Sequence, residues 1–202
     1  MVNREMEPDR GNPVNRFMHM NATRARASTS GGYLALMIGF IGESHQIYGD
    51  CGYSEYSSRV QAVVSQRSFY DLKGLYETAT KSIGAAAGMS VQERLEGYLE
   101  GNPEEAPERY RDASPSSYVS DDDPPVLTFY SEADTVPVEH VEMLDALLQE
   151  FGVPHTVLAF NRVGDPMTGQ KNVIVPQSGA DEEEGPVLLE EAMFAFFDEH
   201  LK

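Results

Sequence analysis

Five consecutive residues, Val126 to Tyr130 (VLTFY), constrain the fold of this chain more than any others. They leave a turn cluster, Asp121-Asp122-Asp123-Pro124-Pro125, and are apolar enough on both sides to be a strand buried on both faces. The next stretch, Val138 to Phe151, places Val141, Leu144, Ala146, Leu147, Leu148 and Phe151 at three- and four-residue spacing, and Gly152 then serves as a helix stop. Pro154 opens a further strand, His155 to Phe160. A doubly covered strand, an amphipathic helix and another strand predict an α/β fold with a mostly parallel sheet and helices on both faces.

The remaining chain fits about four strands in all. Arg59 to Ser65 (RVQAVVS) reads as a central strand, with β-branched residues in a compact run. Gly31 to Ile41 reads as a short buried helix, although periodicity alone does not exclude a strand. Residues 72–111 hold several amphipathic pieces punctuated by Gly84, Gly88 and Gly101, and predict a helical, cap-like insertion. Asn161 to Pro186 reads as irregular, and Val187 to Leu201 as a helix whose apolar side is Leu188, Leu189, Ala192, Phe194, Phe196 and Phe197. The expected organisation is an irregular segment over 1–16 and one partial domain over 17–202.

Composition narrows the function classes. Thirty-three acidic against fifteen basic residues give a formal charge of -18, which repels nucleic acid and anionic lipid. Cys51 is the only cysteine, so neither an intrachain disulfide nor a cysteine metal cluster is available, and the run Asp181 to Glu184 lacks the alternating spacing of a calcium loop. No metal and no cofactor are expected. The opening residues contain no apolar export region, and no apolar run reaches eighteen residues. This reads as a cytoplasmic protein as written, or a secreted one if its start is truncated. Tyr48, Tyr53, Tyr56 and Tyr70 could offer a sugar-stacking surface, but half-buried packing with a hydrogen-bonded tip is the commoner use of tyrosine.

Five segments in order carry a family resemblance. Ala27-Ser28-Thr29-Ser30-Gly31 stands where a G-x-S-x-G nucleophile elbow would, and Gly32 to Met37 continues it as GYLALM. Ser58 to Val64, then Ala113 to Val119 with Pro124 to Leu127, follow. Ser131-Glu132-Ala133-Asp134-Thr135-Val136-Pro137 resembles an acid loop of the form G-x-x-D-x-x-V-P. Together these resemble the C-terminal two-thirds of an α/β-hydrolase of the small carboxylesterase kind, in the acetylxylan and feruloyl esterase group.

The resemblance implies Thr29 at the nucleophile position, Asp134 at the acid position, Asp165 in Gly164-Asp165 at the histidine position, and the Ser30 N–H as an oxyanion donor. The nucleophile and histidine slots depart from the pattern, and the second oxyanion donor has no counterpart. Threonine is hindered as a nucleophile and is β-branched on a turn that strains its backbone, and Ala27 replaces the first glycine. His140, His155 and His200 lie off the motif and read as structural or surface residues; His19 and His45 are also off-motif. No HGGG-type loop precedes the elbow, and the strand expected before it, Asn21 to Ala27, is too polar for a central position.

The expected function is therefore that of an acyl-ester hydrolase relative that is catalytically degenerate, taking a small acyl ester or carbohydrate ester as ligand. The alternatives are a non-catalytic binding or interaction protein, and a subunit completed by a partner chain. Its bare sheet edge implies association, including homo-oligomer formation.

Overall fold

In the computed structural model the described residues are 24–28, 30–42, 57, 59–78, 89–131, 136–165, 169–175 and 187–201. They form one five-stranded sheet in the order β1 (Arg24–Ser28), β2 (Ala62–Gln66), β3 (Val126–Tyr130), β4 (His155–Asp165) and β5 (Gly169–Ile174). The first four strands run parallel, and β5 returns antiparallel along the second half of β4.

Val63, Val64, Val126 and Leu127 are almost wholly buried, as expected of parallel strands covered on both faces. Side chains alternate across the sheet. Val63 and Val126 face α1 (Ser30–Phe40) and α5 (Val138–Glu150), in a core with Leu36, Phe40, Leu144 and Leu148. Val64, Leu127, Phe129 and Phe160 face α6 (Leu189–His200), where Leu189, Met193, Phe196 and Phe197 close the opposite layer. Burying one side chain of this size contributes about 1.5–3 kcal/mol, so the two layers are the main source of stability.

Between β2 and β3 the chain makes α2 (Leu72–Thr78), α3 (Val91–Leu99), α4 (Pro107–Asp112) and a short 3₁₀ turn, Pro115–Tyr118. These helices share a third core of Leu72, Leu75, Val91, Leu99 and Tyr110. Ser90 caps α3: its hydroxyl accepts from Glu93 N–H, and the Glu93 carboxylate accepts from Ser90 N–H in return.

The structure corrects several expectations. The segment after Phe160 is not irregular at its start, because β4 continues to Asp165 and turns into β5. The strand before the elbow is Arg24–Ser28, and its polarity follows from position: among the described residues it has a neighbour on one side only. Arg24 is exposed, with its guanidinium carbon 5.3 Å from the centre of the Phe197 ring, so the charge stays in water while the face below is apolar. In α6 the buried set is Leu189, Met193, Phe196 and Phe197, whereas Phe194 lies a quarter-turn off that stripe and is exposed. In α5, Ala146 is likewise exposed, as is Phe151 just past its end, and buried His140 joins Val141, Leu144 and Leu148.

Two glycines fix local geometry. Gly152 has φ of +70° and ends α5, with its N–H donating to Gln149 O and Val153 N–H to Leu148 O. Gly39 lies where α1 crosses β2; a Cβ on it would stand 2.5 Å from Val63 Cγ2. The helix and strand meet there only because that methyl group is absent.

Candidate active site

Parallel strands present all their C-terminal ends at one edge, and the residues that leave those ends define the candidate site. The register aligns Ser28 with Gln66 and Gln66 with Phe129, so β1, β2 and β3 finish level. β1 ends at Ser28 and α1 begins at Ser30, leaving one residue, Thr29, at the strand-to-helix junction. Thr29 itself lies outside the described residues. Ser30 is exposed at the first turn of α1, a turn without an acidic side chain, where backbone N–H groups have no partner within the helix.

β2 leads into Arg67, a non-glycine residue with φ of +56° whose N–H donates to Phe129 O at 2.9 Å. Holding a side chain in that region costs on the order of 1–3 kcal/mol and is common near functional sites. β3 leads through Tyr130 to Ser131. Asp134 follows but lies outside the described residues, as do Glu132, Ala133 and Thr135. The strands that lead to Thr29 and Asp134 thus end at the same edge with β2 between them.

Asp165, expected in a loop, instead ends β4 and pairs with Gly169 across the hairpin. The described histidines are all engaged elsewhere. His155 starts β4 at the opposite edge, its ring nitrogens 2.7 Å from Val153 O and 3.1 Å from Asp145 Oδ1. His200 packs edge-on against Phe196, and His140 is buried with Nε2 2.8 Å from Thr78 Oγ1. His19, His45, Tyr48, Tyr53, Tyr56 and the run Asp181 to Glu184 lie outside the described residues. Tyr70 is buried in the core against His140 rather than offered as a stacking surface.

Sequence reasoning missed a groove beside Ser30. It has a volume of about 380 Å³ and runs between α1, through Tyr33 and Leu34, and the insertion, through Phe69, Leu72, Leu95 and Tyr98. Its size suits a small ligand and its walls are predominantly apolar. The Tyr33 hydroxyl donates to Ala113 O at 2.7 Å, and burial, reinforced by Tyr98 and Tyr118, pushes its pKa to about 12. It remains a neutral phenol that ties α1 to the insertion. The signal was present in α1, where Leu34 is outward-facing and apolar, but the opposing wall comes from residues 35 or more positions away.

Among the described residues no cluster of three or more histidine, cysteine, aspartate or glutamate side chains is arranged to hold a metal ion. None of the described helices is long and apolar enough to cross a membrane.

A family model described as BD-FAE matches residues 20–148. No curated protein sequence matches the chain. Among solved structures, the chain is similar to a truncated form of a carbohydrate esterase from gut microbiota, with 24% identity and a TM-score of 0.50 over 65% of this chain and 48% of that one. It is also similar to an acylaminoacyl peptidase in complex with a chloromethyl ketone, with 15% identity and a TM-score of 0.53 over 94% of this chain and 26% of that one. The chain therefore spans about half the length of the esterase and about a quarter of the peptidase.

Proposed function

The chain belongs to the BD-FAE family, an esterase-type family of α/β-hydrolases, and from that premise we propose that it binds a small acyl ester at the Thr29–Ser30 junction but hydrolyses it poorly or not at all. The observation that carries this reading is the single residue between the end of β1 and the start of α1, next to an apolar groove of about 380 Å³. A strand followed at once by a helix is the setting of a nucleophile elbow, and the groove suits the apolar part of an ester.

The proposed impairment rests on chemistry. Thr29 would be a hindered nucleophile, Asp134 would orient a base, and the resemblance puts Asp165 at the position of that base, with a carboxyl in place of an imidazole. Ser30 N–H would be an oxyanion donor. Triad members act as a unit, so losing one forfeits most of the rate. Purified protein should hydrolyse p-nitrophenyl acetate no faster than a Thr29→Ala variant, while a slowly hydrolysed acyl ester should still perturb groove tyrosine fluorescence on titration. A Thr29-dependent rate well above the variant's would overturn the inactive reading, and no saturable binding would overturn the ligand.

A second reading is favoured by the far side of α1. Leu34, at the rim of the groove, and Ile38, one turn on, are 56% and 48% exposed, and the outer edge of β1 has no strand partner among the described residues. An apolar helix face next to an open parallel edge suits further strands from a partner or a second copy. In that case the chain acts as one part of a larger sheet, and the domain reading of 17–202 as a partial unit, with 72–111 as its cap, would follow.

A further inference from the structure

Beneath the C-terminal ends of β2 and β3 lies a small cavity in which the centre of a water molecule has about 10 Å³ to move. Leu36 of α1, Val141 and Leu144 of α5, the turn from Arg67 to Tyr70, and Ser131 and Val136 wall it. Its apolar walls alone would leave it dry. Hydroxyl-bearing side chains nevertheless converge there: Ser65, Ser68, Tyr70 and Thr128, which are 0%, 7%, 2% and 5% exposed, with Tyr130 and the buried Ser131 also on its lining.

Their hydrogen bonds do not close among themselves. Ser65 Oγ donates to Ser68 Oγ at 2.6 Å, and Ser68 Oγ is 3.3 Å from Gln66 O, which uses both serine hydrogens and leaves Ser65 Oγ able to accept. Thr128 Oγ1 is fully buried and has no hydrogen-bond partner. The Tyr70 hydroxyl is also fully buried; it rests near the backbone of Leu144 without the geometry of a hydrogen bond. Two buried hydroxyls left unpaired destabilise the fold, and native interiors seldom tolerate this in a space large enough for water.

We propose that this cavity is a binding site for one structural water molecule, held by Thr128, Tyr70 and Ser65. Tyr70 O–H and Thr128 O–H donate to its oxygen, and it donates to Ser65 Oγ. Three partners are the usual number for a buried water, and about 10 Å³ is room for a single one. The water adds a further link among β2, β3 and the turn bearing Arg67, beside the strand pairing of β2 with β3 and the bonds Arg67 N–H to Phe129 O and Ser65 Oγ to Ser68 Oγ. That turn also carries Phe69 into the groove wall, so the site supports the candidate active site without being part of it.

The sign of a stability change tests the assignment. Thr128→Val keeps the shape of the side chain and removes only the hydroxyl's bonding, and Tyr70→Phe does the same at the other wall. If a water is bound, each variant strips it of a partner and lowers the melting temperature by about 2–6 °C. If the cavity is dry, each variant removes an unpaired buried hydroxyl and raises the melting temperature. A high-resolution crystal structure of the wild type supplies the second measurement, with density expected between Thr128 Oγ1 and Tyr70 Oη. A rise in melting temperature for Thr128→Val, or no density in that cavity, overturns the proposal.

Discussion

Thr78 Oγ1 and His140 Nε2 lie 2.8 Å apart, joining α2 of the insertion to α5 of the sheet layer. The Thr78 hydroxyl donates to Gly74 O at 2.7 Å, so it must accept from His140, which fixes the imidazole as the neutral Nε2–H tautomer. His140 Nδ1 is buried with no partner. Thr78→Val should leave the Nε2–H unpaired as well and cost about 1–3 kcal/mol in denaturant unfolding.

His140 also makes stability depend on pH. Burial lowers its pKa below the ordinary histidine value near 6.5, although Asp71, the Gly74 backbone and Glu139 pull the other way. Unfolding then takes up a proton, so the contribution is whole above the unfolded value of about 6.5 and is lost as pH falls below it. Subtracting the pH profile of a His140→Phe variant from that of the wild type should leave a difference that declines on acidification from pH 7. A flat difference would mean the imidazole is not buried.

Asp123 should have the opposite sign. Its side chain is buried at the N-terminal end of β3, accepting from Ser120 N–H and Oγ–H at 2.9 and 3.1 Å, and burial raises its pKa to about 6 despite those bonds and Arg59. The folded state holds the proton more tightly than the unfolded one, so this group's contribution falls as pH rises from about 4 to about 6. The melting temperature of Asp123→Asn, measured relative to wild type, should climb over that interval. Constancy across it would refute the raised pKa.

For the site, Thr29→Ser alone should not produce ester hydrolysis, because the position proposed for the base would still hold a carboxylate. Thr29→Ser combined with Asp165→His should raise the p-nitrophenyl acetate rate over either single variant, if Asp165 stands at the base position. An equal rate for double and single variants would remove Asp165 from the site.

Association is expected through the outer face of α1. Leu34→Glu with Ile38→Lys should shift sedimentation toward the monomer, most clearly at high salt, where the repulsion of a chain of charge -18 is screened. Identical sedimentation of variant and wild type, both associated, would place the contact elsewhere.

The doubly buried strands and the helices packed on them were legible because burial leaves an unmistakable apolar pattern: Val126–Tyr130 and Val138–Glu150 coincide with the expected β3 and α5 almost residue for residue. β5 was not legible. Its sequence, GQKNVI, has little apolar alternation, and it is a strand because β4 offers it a partner. Met193 takes the buried place that the apolar pattern gives to Phe194, because helical phase, and not aromatic size, decides which side chain faces the sheet. The segments that resemble an elbow and an acid loop follow strands β1 and β3, but Thr29 and Asp134 themselves lie outside the described residues. The groove was not legible, because its walls come from α1, the turn after β2 and α3, which only the fold brings together.

The close approach of Gly39 to Val63 reaches further than its own packing. α1 is a rod, and Gly39 and Ser30 stand nine residues apart near its two ends, about 14 Å at 1.5 Å per residue. Any group that wedged the C-terminal end of the rod away from β2 would pivot it, and its other end, carrying the junction next to Thr29, would swing by a similar amount. The alignment of that junction over the sheet is thus gauged at a distance, by the thickness of a contact from which one carbon has been left out.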